Sequence, residues 1–170
     1  MNPLFTAHLI GDFLLQPTWL VGLKTKKLIG VVFHSIVHLV VMGVLLMPRS
    51  PQVFALILGI ALLHGLIDSI KIRYQKKQRH DGFVMGFMLD QAAHLGVILV
   101  SIHFFPSFPA LWKSEAGKGI LFLLAFYSFS MAWRNLLRLK QIGQSGTALL
   151  FLLIAVTFLM FMLPAVLIAA

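Results

Sequence analysis

The sequence of 170 residues contains no cysteine and few acids, with five Asp and Glu residues against 14 Lys and Arg. Without cysteine the chain can form neither a disulfide nor a thiolate metal site, so nitrogen and oxygen must hold any metal. Charged residues make up 11% and hydrophobic residues 59%, whereas a soluble domain is about a quarter charged and about 45–50% apolar. This composition excludes an ordinary water-soluble globule and indicates a membrane protein.

Six hydrophobic segments are long enough to cross a bilayer, which takes about 20 mostly apolar residues. The first is the weakest, because His8, Asp12, Gln16 and Pro17 interrupt it; we expect a short helix there, or one broken at Pro17. The predicted fold class is all-α, a polytopic membrane helix bundle of about six transmembrane helices. The segments span residues 3–22, 28–47, 53–72, 83–104, 117–137 and 146–168.

Basic residues are concentrated in alternate connections between these segments. The 1–2, 3–4 and 5–6 loops carry 11 of the 14 Lys and Arg residues. The positive-inside rule therefore places these loops in the cytoplasm and both termini outside it. Such patches suit loops beside anionic lipid, so no nucleic-acid partner is expected.

Four pairs of His and Asp residues lie in the first four segments at a spacing of four residues. This spacing puts both side chains of a pair on one face of a helix. The 11 His and Asp residues would give about 0.7 such pairs if placed at random, so chance does not explain the pattern. The pairs are His8–Asp12, His34–His38, His64–Asp68 and Asp90–His94.

The pairs repeat along the chain with an offset of 56 residues, which carries positions 8, 12, 34 and 38 onto 64, 68, 90 and 94. We therefore expect the first four segments to form two tandem helical hairpins related by a pseudo-two-fold axis along the membrane normal. The chain is interpreted as a single transmembrane domain over 1–170. Within it, 3–104 is a metal-binding four-helix core built as a repeat of 1–47 and 57–103, and 105–170 holds two scaffold helices.

A carboxylate at the centre of a bilayer costs about 2.5–3.5 kcal/mol, so the three paired Asp residues require neutralisation. Divalent cations held by carboxylate and neutral imidazole would provide it. We expect all eight paired residues to line one pocket in the middle and cytoplasmic half of the bundle. They would hold two ions, zinc above manganese or iron, with an interhelical hydrogen-bond network without metal as the alternative.

Several polar neighbours are candidates for supporting this site. Gln16, Ser35 and Gln91 could orient the imidazoles, although helix packing explains such residues equally well. Lys71 and Arg73 could hold an anionic substrate headgroup, or simply anchor the chain at the membrane surface.

Four motifs of the sequence resemble those of a known family. They are A-H-L-I-G-D-F-L-L-Q (7–16), H-S-I-V-H (34–38), L-H-G-L-I-D-S-I-K (63–71) and L-D-Q-A-A-H (89–94). Over about residues 5–100 the chain resembles an uncharacterised bacterial membrane-protein family with an H-L-x-G-D-F-x-L-Q signature. It is also similar, more distantly, to bacterial membrane-bound metal-dependent hydrolases, although their Asp-x-Asp-His element is absent. The resemblance implies a place in the bacterial inner (cytoplasmic) membrane.

The predicted function is an integral-membrane metal-dependent hydrolase acting on a lipid-like or isoprenoid substrate from the cytoplasmic side. Either Asp12 or Asp90 could serve as general base. A divalent-metal transporter or channel is the alternative, and a di-iron lipid oxygenase is a further one. The expected partners are membrane lipids and the lipid-like substrate, and a homo-oligomer is left open.

Overall fold

The computed structural model describes residues 2–77, 83–104 and 113–137. These residues are helical with no strand among them, which confirms the all-α class. The predicted segment 146–168 lies outside the described residues. The helices are α1 Pro3–Leu9, α2 Thr18–Lys26, α3 Leu28–Leu46, α4 Pro51–Lys77, α5 Phe83–Phe104 and α6 Glu115–Leu137, and a π-helical turn over Ile10–Leu14 follows α1.

Proline and small polar side chains set the starts of the helices. The Asn2 Oδ1 accepts a hydrogen bond from the Leu4 N–H at 2.9 Å, and Pro3 opens α1. In the same way, the Ser50 Oγ accepts from the Val53 N–H at 3.3 Å ahead of α4. These caps satisfy N–H groups that have no partner inside the helix.

The first predicted segment, 3–22, is not one continuous helix. After α1 the backbone widens into the π-helical turn, in which the Leu15 N–H donates to the Ile10 carbonyl at 2.8 Å. The chain is extended at Pro17, where α2 begins. Because proline disfavours helical geometry in the residue before it, the helix breaks there, one of the two forms expected.

Helices α3 and α4 bury polar side chains and expose apolar ones. His34 and His38 are 0% and 2% exposed, whereas Val40 and Val44 on the other face of α3 are 58% and 64% exposed. A helix at the surface of a water-soluble protein has the opposite arrangement. The other exposed apolar residues on α3 and α4 include Ile29, Val32, Phe33, Ile36, Leu58, Leu62, Leu66 and Ile70.

Two of the predicted spans meet the length and composition needed to cross a membrane. Among the described residues these are Leu28–Leu46 and Pro51–Tyr74, and a shorter apolar stretch covers Leu89–Phe104. The finer expectation of six transmembrane helices, with two related hairpins, stays a prediction.

Helix α1 lies at the centre of the described bundle and is buried along its whole length. It packs against α3, α5 and α6, while α3 packs against α4 and α4 against α5. Helix α6 also covers the π-helical turn, and α2 folds back against α3. This packing places the predicted ligands of four helices around one interior.

Candidate metal centre

Four helical segments each turn a ladder of three side chains inward, spaced four residues apart. Each ladder holds an apolar residue, then a histidine, then an acid or a second histidine. Spacing of four residues stacks the side chains on one helix face. The ladders are Leu4–His8–Asp12, Met42–His38–His34, Ile60–His64–Asp68 and Ile98–His94–Asp90.

The ladders come together as layers, which we name by their members. The apolar layer is Leu4, Met42, Ile60 and Ile98, and it lines one cavity together with the histidine layer, which is His8, His38, His64 and His94. The acid layer is Asp12, His34, Asp68 and Asp90. The structure thus brings all eight predicted ligands together, and no more than 10% of any of these side chains is exposed.

The imidazoles of the histidine layer contact one another. The His38 and His64 rings stack with centroids 3.6 Å apart, and the His64 and His94 rings stack at 4.0 Å. The His8 ring lies 5.0 Å from that of His94. Four buried imidazoles therefore share one small volume.

Asp12 is the carboxylate closest to these rings. Its Oδ1 lies 2.9 Å from the His34 Nε2 and 3.0 Å from the His38 Nε2. The His64 Nε2 lies 3.5 Å from the same oxygen, and the His8 Nε2 lies 3.7 Å from Oδ2. A carboxylate oxygen has about two lone pairs, so His34 and His38 fill its capacity and His64 cannot bond to it as well.

Four buried polar atoms of the centre have no hydrogen-bond partner in the described part of the chain. They are the His34 Nδ1, His64 Nε2, Asp90 Oδ1 and His94 Nε2. Unpartnered buried groups are rare because each loses its hydration without compensation. Imidazole nitrogen and carboxylate oxygen are ligands of divalent transition metals, so this donor set fits such an ion.

The candidate ligands group across the two halves of the predicted repeat. His64 of the second half lies with residues of the first half, and His34 of the first lies with residues of the second. Two of the three groups therefore combine residues of both halves, and the third lies within the second half. The groups whose ligand atoms lie within 4.8 Å of one another are His8, Asp12, His38 and His64; His34, His64 and Asp68; and Asp68, Asp90 and His94.

Two lysines neutralise the other two carboxylates. The Lys24 Nζ donates to the Asp68 Oδ2 at 2.9 Å, and the Lys71 Nζ donates to the Asp90 Oδ2 at 2.6 Å. The sequence offers two interpretations of Lys71, a headgroup ligand or a membrane anchor, and gives Lys24 of the basic 1–2 loop no role of its own. The sequence holds one indication that Lys24 points inward, namely its spacing of four residues from the apolar Leu20. Leu20 is 2% exposed and lies on the same helix face as Lys24.

The predicted supporting residues separate into two kinds. The Gln16 Nε2 lies 3.3 Å from the His34 Nε2, and the Gln91 Nε2 donates to the Asp90 Oδ2 at 3.3 Å. With the Gln16 amide turned to donate to the Asp12 backbone carbonyl, its oxygen accepts from Lys24. Both glutamines therefore contact the centre.

Ser35 and Arg73 lie apart from these contacts. The Ser35 hydroxyl donates to the Val31 carbonyl at 3.0 Å within α3 and lies against Gly65 of α4, where it joins the two helices. Arg73 is exposed on α4. Neither side chain takes part in the described cluster.

Gly11 provides the space that the His38 ring occupies. A methyl group at this position would overlap the imidazole of His38. Only a residue without a side chain permits that approach, because the ring must come this close to bond the neighbouring Asp12. This contact explains the glycine next to the aspartate in the 7–16 motif.

The fold and the centre together define an all-helical protein with a buried histidine and aspartate cluster. The chain belongs to the family described as "Protein of unknown function (DUF3307)", whose model matches residues 1–117 and so includes all four ladders. This confirms the resemblance to an uncharacterised family, and similarity to hydrolases is not shown. No curated protein and no solved structure matches the chain.

Replacing Lys24 by Met is expected to lower the free energy of unfolding by about 3–5 kcal/mol, because Asp68 then stays buried without its ammonium partner. Unfolding of the purified protein in metal-free buffer measures the change. The matched control is Lys118→Met, since Lys118 contacts Glu115 at 2.6 Å, closer than Lys24 contacts Asp68, but in an exposed position, and it should leave stability unchanged. Equal effects of the two substitutions would contradict a buried Lys24–Asp68 pair.

Proposed function

We propose that the chain is an integral-membrane, metal-dependent hydrolase that holds one divalent cation at Asp12 and acts on a lipid-like substrate. One observation carries the proposal. Four buried imidazoles line a cavity and adjoin the Asp12 carboxylate, and two of them have an Nε2 with no hydrogen-bond partner among the described residues. Zinc is the preferred cation because histidine nitrogens with one carboxylate oxygen are a common zinc ligand set. Manganese or iron would fit the same nitrogen and oxygen ligands.

The inside-out distribution of side chains supports a place in the membrane. Apolar residues cover the outer faces of α3 and α4, while the charged groups of the acid layer and its lysines lie inside. Lipid would cover such an apolar surface, whereas water would not. Together with the basic loops, this favours a multi-pass protein of the bacterial inner membrane with both termini outside the cytoplasm.

Substituting Leu62 by Lys distinguishes lipid from water around α4. Leu62 is 65% exposed in the middle of the apolar helix. A lysine there should cost about 2.5–3.5 kcal/mol if lipid surrounds it, and nearly nothing if water does. The measurement is the fraction of expressed protein that resists alkaline extraction from membranes. Leu28→Lys, at the exposed start of α3 beside Lys26 and Lys27, is the matched control and should be tolerated; equal behaviour of the two would contradict membrane insertion.

Charge balance favours one tightly held ion rather than the two expected from the sequence. Lys24 and Lys71 neutralise Asp68 and Asp90, whereas Asp12 contacts only imidazoles among the described residues. A divalent cation held by Asp12 and neutral histidines would leave one positive charge. That charge suits an anionic group on the substrate.

The ligands proposed for this ion are Asp12, His8, His38 and His64. Elemental analysis of the purified protein should therefore find about one divalent ion per chain, because these four residues form one group with ligand atoms within 4.8 Å of one another. Asp12→Asn and His64→Ala should each lose the ion. The first substitution removes the carboxylate ligand, and the second removes an imidazole whose Nε2 is not engaged in another hydrogen bond among the described residues.

The matched control for the histidine variant is His103→Ala. His103 is exposed near the end of α5 and contacts Phe104, away from the centre, so this variant should retain the ion. Metal-free wild-type protein, or equal metal content in the His64 and His103 variants, would overturn the assignment.

A bound divalent cation polarises the scissile carbonyl or phosphoryl oxygen and activates water for attack. The cavity between the apolar and histidine layers measures about 10 Å³, which is room for one water molecule, the attacking group of a hydrolysis, beside the imidazoles. Asp90 suits the general base better than Asp12, which is surrounded by imidazoles. Lys71 and Gln91 hold the Asp90 Oδ2, and the Oδ1 has no hydrogen-bond partner and could accept a proton from water.

The geometry gives less support to a metal transporter. The apolar layer lies directly beyond the histidine layer on the cavity side, so polar ligands do not continue there in the described residues. A conduit for hydrated cations needs such groups toward both faces.

Asp90→Asn should reduce hydrolysis by about 100-fold or more, because the amide cannot accept the proton, while the ion at Asp12 remains bound. The assay is release of the aryl group from long-chain aryl esters and phosphodiesters in mixed micelles, with metal content measured in parallel. Glu115→Gln, an exposed acid paired with Lys118, is the control and should keep full activity. Unchanged hydrolysis in the Asp90 variant would rule out this role.

A further inference from the structure

Asp68, Asp90 and His94 form a second group of potential ligands, which shares no member with the group around Asp12. Their ligand atoms lie within 4.8 Å of one another. No more than 3% of any of the three side chains is exposed. Two carboxylates and one imidazole are a donor set for divalent cations such as Mn²⁺ or Zn²⁺.

Two atoms of this group are available for a ligand. The Asp90 Oδ1 and the His94 Nε2 lie 3.4 Å apart, yet neither has a hydrogen-bond partner within 2–77, 83–104 and 113–137. Buried polar atoms without partners indicate a missing contact, since each loses its hydration without a compensating hydrogen bond. The group therefore offers two available ligand atoms in addition to its negative charge.

The remaining charge of the group is cancelled by lysines from outside the ladders. The Lys24 Nζ and the Lys71 Nζ each contact one carboxylate, at 2.9 Å on Asp68 and 2.6 Å on Asp90. Two ammonium groups carry the same charge as one divalent cation. Their side chains are 10% and 18% exposed, more than the carboxylates they contact, so their long flexible stems lead toward the surface.

We propose that Asp68, Asp90 and His94 form a second divalent-cation site of lower affinity, for which the ammonium groups of Lys24 and Lys71 compete. This inference rests on the proposed function in one respect: it takes the site at Asp12 to bind a cation first. Exchange of two ammonium groups for one cation leaves the charge of the site unchanged. The lysines thereby determine whether the centre holds one ion or two.

Metal titration of the purified full chain tests this competition. Wild-type protein should bind one Mn²⁺ or Zn²⁺ and take up a second only at higher concentration. In the double variant Lys24→Met, Lys71→Met the second ion should bind about tenfold more tightly or better, because no ammonium has to be displaced. Adding Asp90→Asn to the double variant should return the stoichiometry to that of the first site alone.

Lys118→Met is the matched control, because Lys118 also contacts a carboxylate but on the exposed surface of α6; it should leave both affinities unchanged. If the double variant folds only with metal, its melting temperature should rise again over a second range of Mn²⁺ concentration. A double variant that binds its second ion no more tightly than the wild type overturns the proposal. A first ion that persists in Asp12→Asn protein, while removal of the lysines still tightens a second site, would overturn only the proposed function.

Discussion

The burial of three carboxylates among apolar helices is the constraint that shapes the rest of this molecule. Each carboxylate needs compensation, because a buried charge without a partner is costly. Asp68 and Asp90 obtain it from Lys24 and Lys71, whereas the described residues that contact the Asp12 carboxylate are imidazoles. The break at Pro17 serves this arrangement, since it lets α2 fold back against α3 and carry Lys24 inward.

The ladders show which features of the centre follow from the spacing of residues along the sequence and which depend on how the helices pack. A spacing of four residues reports one helix face wherever the sequence is helical, so the pairing of His8 with Asp12 or Asp90 with His94 needed no tertiary information. The contact between His64 and the Asp12 carboxylate did need it, because it depends on how α4 packs against α1 and α3. The grouping across the halves was therefore not predictable from spacing.

Other parts of the centre escaped prediction for similar physical reasons. The bounds of α3 agree closely with the predicted 28–47, and Pro48 and Pro51 separate this helix from the next. Helix α4 begins at Pro51, close to the predicted residue 53, but continues to Lys77 rather than ending at 72, because no proline stops it there. Lys24 resembles any other basic residue at a membrane surface, and only the inward turn of α2 separates it from Lys26. The π-helical turn around Asp12 likewise leaves no signature in composition, although such turns often occur at functional sites.

The two halves of the 56-residue repeat share their layers but differ in charge. The offset carries the histidine layer onto itself, and within the acid layer it changes one residue type, since His34 corresponds to Asp90. The first half therefore has one carboxylate with three histidines, which suits a cation held by neutral nitrogen and oxygen ligands. The second half has two carboxylates with two histidines, and both lysines contact those carboxylates. A single difference between imidazole and carboxylate is thus accompanied by the extra positive charge that it requires, because the carboxylate of the first half lies among imidazoles and the two of the second half are paired with lysines.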